Sequence, residues 1–262
     1  GYAGDGLLAV QGLFNRMHNL AWASNNLLYI SDTHNNLVRK INGKNNRLST
    51  FAGVPEKKGF SGDGGPAVKA KLDTPISISL TPDEKSLLIA DIRNRRIRAV
   101  NLDSGIIRTI AGNGKKGKPV DGKHTLKQPL VDPRAAVMDN DGNLFVIERN
   151  GHALRVVRPN GKIFTIAGTG KKGHLDGSAL EATFNGPKHL CLDRKGRVII
   201  ADDNNNLIRL YDPKNETVST ILGGKAKPKT ILNRPHGVTI APDGSLWVCD
   251  SWNNRILTLS NY

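Results

Sequence analysis

Long hydrophobic runs, aromatic residues and cysteines are all scarce in this sequence. No apolar run approaches the roughly 18 residues of a membrane-spanning helix, so we expect no membrane insertion. Aromatic residues make up 5% of the chain, which disfavours the aromatic platforms that usually hold single-stranded nucleic acid. The two cysteines, Cys191 and Cys249, each lie in an apolar stretch, and we predict buried free thiols rather than a disulfide or a metal pair.

Several motifs of enzyme active sites are also absent. The chain has no Gly-x-Ser-x-Gly elbow, no phosphate-binding Gly-x-x-x-x-Gly-Lys-Ser/Thr loop and no Cys-x-x-Cys pair. We therefore assign no catalytic residue and favour a protein that is not an enzyme.

Glycine, proline and positive charge are abundant instead. The 28 glycines and 13 prolines indicate many short elements joined by tight turns. The formal net charge is +15, and a field of this sign favours nucleic acid, anionic surfaces or acidic partners.

One segment recurs five times with constant internal spacing. Each copy is a hydrophobic strand that ends in an acid, followed by a turn rich in asparagine and then by an aliphatic residue. An arginine follows that aliphatic residue in the first four copies. The copies lie at 32–39, 91–98, 148–155, 202–209 and 250–257.

Short apolar runs around each copy predict four strands per repeat. Such units cannot bury both faces alone, so they stack as blades around an axis. We predict an all-β fold, a β-propeller of four-stranded antiparallel blades, as a single domain over residues 1–262. The last repeat lacks a fourth strand, which leaves five or six blades open. The repeats lie at about 1–53, 54–112, 113–168, 169–223 and 224–262.

The recurring acid, asparagine turn and arginine resemble the NHL-repeat family over essentially the whole chain. The resemblance implies a propeller whose innermost strands line a central channel, usually with six blades in bacterial members. No secretory leader is visible, but residues 1–6 fall in the middle of a repeat, so the sequence leaves open whether upstream residues have been removed. The sequence does not determine the compartment, and we favour a periplasmic or secreted protein.

The acid and the arginine occur in nearly every copy, which favours a structural role. A carboxylate at a strand end can accept N–H bonds from the following turn, and asparagine side chains can do the same. Function is expected where the repeats differ.

The residue after the proline that opens each innermost strand is one such variable position. In propellers this position faces the mouth of the channel. We predict an anion-binding pocket there, with an unreactive, solvated channel as the alternative. The predicted ligand-binding residues are His18, Arg134, Lys188, His236 and, one residue further along its strand, His189.

A metal site is an alternative at the same place. NHL-like peptidyl-amidating lyases hold zinc through channel histidines that follow a proline, a pattern that His236 fits and His18 fits in part. These two are the candidate metal ligands of a metal-dependent lyase or hydrolase, with His189 as a possible third. A catalytic zinc commonly needs three protein ligands, and Lys188 and Arg134 would repel it. We therefore predict no cofactor, with zinc or calcium as alternatives, and interpret the Asp-Gly pairs as turns rather than calcium ligands.

Lysines concentrate in the loops that join each fourth strand to the next repeat. Propeller geometry places these loops on one face with the asparagine-rich turns. We predict a non-enzymatic scaffold that holds a protein or other anionic partner on this basic face and at the channel mouth, with RNA binding as an alternative. The basic face comprises Lys57, Lys58, Arg95, Arg96, Lys115, Lys116, Lys171 and Lys172. Further loop lysines are Lys69, Lys71, Lys118, Lys123, Lys127, Lys225, Lys227 and Lys229.

Overall fold

The computed structural model describes residues 1–226, 229–260 and 262, and these residues form β-strands joined by turns and single-turn 3₁₀ helices. No helix in the described part of the chain is long and apolar enough to cross a membrane. The chain divides into two compact units, one of residues 1–117 and 124–140, the other of residues 118–123 and 141–262.

The first unit contains two four-stranded antiparallel sheets and one further strand. Each sheet follows chain order, β1 to β4 and β5 to β8, and β9 is the first strand of the third repeat. The strands are β1 Leu20–Ala23, β2 Leu27–Asp32, β3 Leu37–Asn42, β4 Arg47–Ala52, β5 Pro75–Leu80, β6 Ser86–Asp91, β7 Arg96–Asn101, β8 Ile107–Ala111 and β9 Pro133–Met138.

The second unit contains the rest of the third repeat and the last two repeats. The sheet of the fourth repeat runs β14 to β17 and gains the short β13 beside β17. The sheet of the last repeat has three strands in the part of the chain that is described, as the sequence predicts. The strands are β10 Leu144–Glu148, β11 Ala153–Val157, β12 Ile163–Ala167, β13 Gly177–Ser178, β14 His189–Leu192, β15 Val198–Asp202, β16 Leu207–Asp212, β17 Thr217–Leu222, β18 Pro235–Ile240, β19 Leu246–Asp250 and β20 Arg255–Leu259.

These antiparallel meanders confirm the predicted all-β class and the four-stranded blades of a β-propeller. The turn between the second and third strands ends on a residue in the left-handed conformation, with φ of 58° at Asn36, 56° at Asn206 and 51° at Asn254. Asparagine tolerates this conformation better than most residues, which explains why it recurs there.

The repeated acid and arginine tie four segments of a repeat together. In the fourth repeat, Asp202 Oδ1 accepts the backbone N–H of Asn185 at 2.8 Å, and Oδ2 accepts from Asn205 Nδ2 at 2.7 Å. Arg209 Nη1 donates to the same Oδ2 at 3.0 Å, and Arg209 Nη2 lies 2.6 Å from Asp176 Oδ1 in the Asp-Gly loop. The fully buried guanidinium is thus held between two carboxylates.

The first two repeats repeat this arrangement, with Arg39 and Arg98 as the buried arginines. These contacts give the repeated residues the structural role that the sequence predicts. One expectation was wrong, because the N–H that Asp202 accepts comes from the loop before β14 and not from the following turn. In these three repeats the aspartate of the Asp-Gly pair does more than form a turn, since Asp5, Asp63 and Asp176 are the second ion-pair partners.

Each unit has its own apolar core. In the first unit, residues of β1 and β2 pack with residues of β5 to β8. In the second, β15 and β16 pack on β18 and β19. Both cysteines are free, as predicted, but the predicted burial is wrong for Cys249, which is exposed on β19, while Cys191 is half-buried.

Candidate functional site

Two of the predicted channel-mouth residues belong to the first unit. His18 precedes β1, and its Nδ1 lies 3.0 Å from the carbonyl oxygen of Arg16 and 3.1 Å from Thr33 Oγ1. Arg134 is the second residue of β9 and is half-buried. The His18 ring is therefore held by residues of its own repeat.

Two others meet in the second unit. Lys188 directly precedes β14, His236 is the second residue of β18, and Lys188 Nζ lies 2.6 Å from His236 Nε2. The same Nε2 lies 3.0 Å from Asp203 Oδ1. Because an ammonium can only donate, an unprotonated Nε2 accepts from Lys188, whereas a protonated Nε2 donates to Asp203. The tautomer of the ring therefore decides which of the two neighbours Nε2 bonds.

Asp203 is the fully buried centre of this group. Its Oδ2 accepts from Arg234 Nη2 at 2.7 Å and from Arg234 Nε at 2.9 Å, and Lys188 Nζ lies 3.2 Å away. Burial opposes ionisation, but hydrogen bonds from His236 and Arg234 and the charge of Lys188 lower the pKa of Asp203 to about 2. One carboxylate faces the two cations Lys188 and Arg234, so the group carries net positive charge.

His189 contacts the backbone of β18. Its Nδ1 lies 3.1 Å from the carbonyl oxygen of Val238 in β18. Asn19 has the equivalent place in the first repeat, where its Oδ1 accepts from the backbone N–H of Ile78 in β5 at 3.0 Å. Both side chains join the first strands of neighbouring repeats, and the structure gives His189 this linking contact.

The predicted metal ligands do not form a coordination set. No group of three or more histidine, cysteine, aspartate or glutamate side chains suited to a metal ion occurs among the described residues. The ammonium of Lys188 lies 2.6 Å from Nε2 of His236 and opposes a second cation at short range.

Three basic segments of the first unit meet around Arg96. The Arg96 guanidinium lies 3.6 Å from the centre of the Phe60 ring, and Nη2 donates to the carbonyl oxygen of Asn113 at 2.8 Å. Asn94 Nδ2 donates to the carbonyl oxygen of Gly59 at 2.6 Å. Loop 54–60, turn 91–96 and loop 112–117 are therefore fastened together.

Exposed cations surround this junction. We call Lys57, Lys58, Arg93, Lys115 and Lys116, all exposed, the basic loop cluster. Of the predicted basic-face residues, Arg95 and Arg96 are half-buried, and Arg96 serves to fasten the loops.

The second unit has a smaller version of this arrangement. Lys171 and Lys172 are exposed, and the adjacent Gly173 carbonyl oxygen accepts from Asn205 Nδ2 at 2.6 Å. Lys227 lies outside the described residues.

Sequence reasoning missed Asp203, Arg234 and the contact between Phe60 and Arg96. A signal for Asp203 does exist, because it is the one carboxylate at the position after the repeated acid, where the other copies have Thr33, Ile92, Arg149 and Ser251. No comparable signal marks Arg234, because its role depends on the packing of β18 beside the turn at Asp203.

Comparisons with known proteins agree with this repeat architecture. A family model described as NHL repeat matches residues 232–259. NHL repeat-containing protein 2 of Bos taurus is 25% identical over 91% of this chain. The chain is thus a β-propeller with an NHL repeat at residues 232–259, and it is similar to NHL repeat-containing protein 2 over most of its length. Protein SUPPRESSOR OF QUENCHING 1, chloroplastic, of Arabidopsis thaliana is 29% identical over 80% of it.

Solved structures show the same fold at lower identity. A chain of a nidogen/laminin complex matches with a TM-score of 0.65 and 15% identity, covering 93% of this chain and 75% of that one. Virginiamycin B lyase from Staphylococcus aureus matches with a TM-score of 0.58 and 14% identity, covering 93% of this chain and 69% of that one. The propeller spans 26% of the length of the Arabidopsis relative and 46% of the bovine one.

Proposed function

We propose that this NHL propeller is a non-enzymatic binding module that holds an acidic segment of a partner protein on its basic loop cluster. The group around Asp203 provides a second positive surface, in the other unit. The partner class follows from charge, since a positive surface attracts carboxylates and excludes basic partners.

The observation that carries the proposal is the fastening of three lysine- and arginine-bearing segments around Arg96. Lysines that are merely solvated on independent loops would not need contacts that hold the loops together. Here the carbonyl oxygens of Gly59 and Asn113 are each held by a side chain from turn 91–96, so the lysines project from a fixed base. Preorganised charges lose less conformational entropy when a partner binds.

The charge of the same three segments also supports an acidic partner. Over 54–60, 91–96 and 112–117 there are seven lysines and arginines against two acids, and one of those acids, Asp91, is buried with Arg98. A protein partner is favoured over RNA because Phe60 is already covered by Arg96 on one side and the chain has few other exposed aromatic rings near the lysines.

An enzymatic role has less support. The similarity to virginiamycin B lyase is at 14% identity and shows the fold alone. The described residues also hold no metal-binding group of the kind the lyase hypothesis requires.

The test is binding of a fluorescent polyglutamate peptide to the chain and to two charge-reversal variants. The cluster variant is Lys58→Glu with Lys115→Glu. The control is Lys44→Glu with Lys85→Glu, two exposed lysines of the same unit in other turns, so the net charge changes equally. We expect about tenfold weaker binding for the cluster variant, since two charge pairs of up to ~1 kcal/mol each become repulsive, and little change for the control.

Equal losses in both variants would show that only net charge matters and would overturn the proposal. Generic single-stranded RNA is measured in parallel over a salt series. Tight RNA binding that weakens steeply with salt, without peptide binding, would assign the surface to phosphate backbone instead.

A further inference from the structure

Arg234 is fixed by contacts on three sides. Its backbone N–H donates to Asn206 Oδ1 at 2.8 Å, and its Nε and Nη2 both donate to Asp203 Oδ2. Its guanidinium carbon lies 5.1 Å from the centre of the Trp252 ring. A planar guanidinium that is held at its Nε–Nη2 edge and lies over a ring keeps one orientation. Arg234 therefore presents its other edge, formed by Nη1 and Nη2, in a fixed direction.

This second edge has no partner within the described part of the chain. Arg234 Nη1 makes no hydrogen bond there, and the Arg234 side chain is 28% exposed, whereas Asp203 is fully buried. Two parallel N–H groups of a guanidinium match the two oxygens of a carboxylate in spacing and direction. The exposed edge is thus suited to bind a carboxylate that arrives from solvent.

The charges around Arg234 favour a ligand with one negative charge. Lys188 and Arg234 oppose the single carboxylate of Asp203, and this leaves one net positive charge beside the exposed edge. The Lys188 side chain is only 10% exposed, so its charge is poorly screened by water. One carboxylate balances this charge, and an ammonium group is repelled by it.

Trp252 provides an apolar wall beside the same edge. It is 61% exposed, and its indole Nε1 makes no hydrogen bond with any described residue. Its backbone N–H donates to the carbonyl oxygen of Asn233 at 3.0 Å, which ties the turn of Trp252 to the residue before Arg234. A fixed and exposed indole ring favours contact with another planar, apolar group. The ligand that fits this place therefore carries an aromatic group as well as a carboxylate.

The equivalent places between the first and second repeats carry no charge. They hold Thr33, after the repeated acid, with Thr74 and Ile76 on either side of the first proline of the next repeat. Thr33 Oγ1 donates to the carbonyl oxygen of Pro75 at 2.8 Å, and Ile76 is 8% exposed. Two repeats can thus be joined without an ion pair here. The charged residues between the fourth and fifth repeats are not a requirement of the fold.

We propose that Arg234 and Trp252 form a binding site for a carboxylate joined to an aromatic group, with Lys188 and His236 at its margin. The two oxygens of the ligand accept from Nη1 and Nη2 of Arg234, and its ring packs on Trp252. Small aromatic acids have this chemistry, and so does the C-terminus of a peptide that ends in phenylalanine. The site goes beyond the proposed function, because these residues belong to the second unit and none is in the basic loop cluster.

The test is a titration of the full chain with benzoate, acetate and benzylamine at pH 7. The ¹H–¹⁵N signal of the Trp252 indole reports binding at this site, and it is assigned with Trp252→Phe. We expect benzoate to shift this signal to saturation and to bind about tenfold more tightly than acetate, because the ring contact adds roughly 1 kcal/mol. Benzylamine should leave the signal unchanged. Benzoate that does not shift the Trp252 signal, or that binds no better than acetate, overturns the proposal.

A matched pair of variants tests the guanidinium. Arg234→Lys keeps the charge but removes the planar pair of donors, so benzoate should bind at least about tenfold more weakly. Arg255→Lys is the control, since Arg255 Nε also donates to a buried carboxylate, that of Asp250, at 2.8 Å. The control should bind benzoate like the parent chain. Equal losses in the two variants would contradict the assignment of the ligand to Arg234.

A variant at an exposed position keeps the test decisive if Arg234→Lys does not fold. Trp252→Ala removes the ring and leaves every ion pair in place, so the chain should remain folded by circular dichroism. Ligand-observed NMR then measures benzoate affinity, which should fall about tenfold to that of acetate. Unchanged preference for benzoate over acetate in this variant would overturn the role given to Trp252 and with it the proposal.

Two further ligands distinguish the sources of the carboxylate. N-acetylphenylalanine that binds more tightly than benzoate identifies a peptide C-terminus, and the reverse order identifies a small aromatic acid. N-acetylphenylalaninamide lacks the carboxylate and should not bind, and binding as tight as that of the acid would overturn the proposal.

The variant Lys58→Glu with Lys115→Glu separates this site from the proposed function. It should bind benzoate like the parent chain although it loses the polyglutamate peptide. Failure of benzoate binding in a parent chain that still binds polyglutamate would overturn this inference alone. An equal loss of benzoate in the Lys58→Glu, Lys115→Glu variant would show that net charge, and not Arg234, attracts the ligand.

Discussion

The fourth and fifth repeats share the repeated acid and the asparagine-rich turn, but the acid has a different arginine partner in each. In the fourth, Arg209 is fully buried between Asp202 and Asp176. In the fifth, Leu257 replaces that arginine, the preceding loop has no Asp-Gly pair, and the half-exposed Arg255 binds Asp250 instead. The fifth repeat lacks both the buried arginine and the loop aspartate, so no guanidinium has to be paired out of water there.

Burial differs in the same way. Ile208 and Ile256 occupy the same place in their repeats, yet one is fully buried and the other is 56% exposed. Side-chain chemistry is therefore not what distinguishes an inner repeat from an end repeat. Ile208 is buried because the fifth repeat packs against the fourth.

The largest expected effect comes from breaking the buried ion pair of the fourth repeat. Arg209→Met leaves two carboxylates without their cation and should lower the free energy of unfolding by about 3–5 kcal/mol. Arg255→Met, at a half-exposed pair, should cost about 1 kcal/mol or less. Urea unfolding measures both, and equal losses would contradict the contrast drawn between these repeats.

Truncating the paired isoleucines should give the next largest difference. Ile208→Ala opens a cavity in the core of the second unit and should cost about 2–4 kcal/mol. Ile256→Ala removes atoms that already contact water and should stay within about 0.5 kcal/mol of the parent chain. Thermal and urea unfolding of the two variants decide this, and a large loss at Ile256 would mean that its face is covered.

A pH effect should follow from Asp203, which lies at the junction between the fourth and fifth repeats. Its folded pKa of about 2 lies below its unfolded value, so its stabilisation is present above about pH 4 and is lost as the pH falls towards 2. Between pH 4 and pH 2 the free energy of unfolding of the parent chain should fall by on the order of 2 kcal/mol more than that of Asp203→Asn. Urea unfolding at several pH values, compared with the parent chain, measures it, and parallel pH profiles would contradict it.

The smallest effect should come from the side chains of the asparagines that end the turn between the second and third strands. Asn206→Gly keeps the left-handed conformation but removes the acceptor for the Arg234 N–H, which should cost about 1 kcal/mol. Asn254→Gly removes an acceptor that has no donor among the described residues and should change the unfolding free energy little. Asn206 and Asn254 are matched in residue type and conformation. A difference in unfolding free energy between the two variants therefore measures the hydrogen bond from the Arg234 N–H to Asn206.

Part of the candidate site was predictable from the sequence and part was not. Lys188 and His236 could be singled out because they fill a variable position in a constant frame, and the structure brings them to 2.6 Å. Arg234 could not, because its partner Asp203 is 31 residues away in the chain and is reached only when β18 packs beside the fourth repeat. Nothing in the sequence distinguishes Phe60 from other loop residues, because its contact with Arg96 forms only in the folded chain.

The sequence by itself determined the repeat, the strand order within each blade and the identity of the structural residues. These depend on local spacing, turn chemistry and alternation, which a single repeat contains in full. Only the tertiary structure decided that the fifth repeat buries a face of the fourth, and which charges lie together around Asp203. Each of these depends on the neighbouring sheet, and no repeat encodes whether it has one.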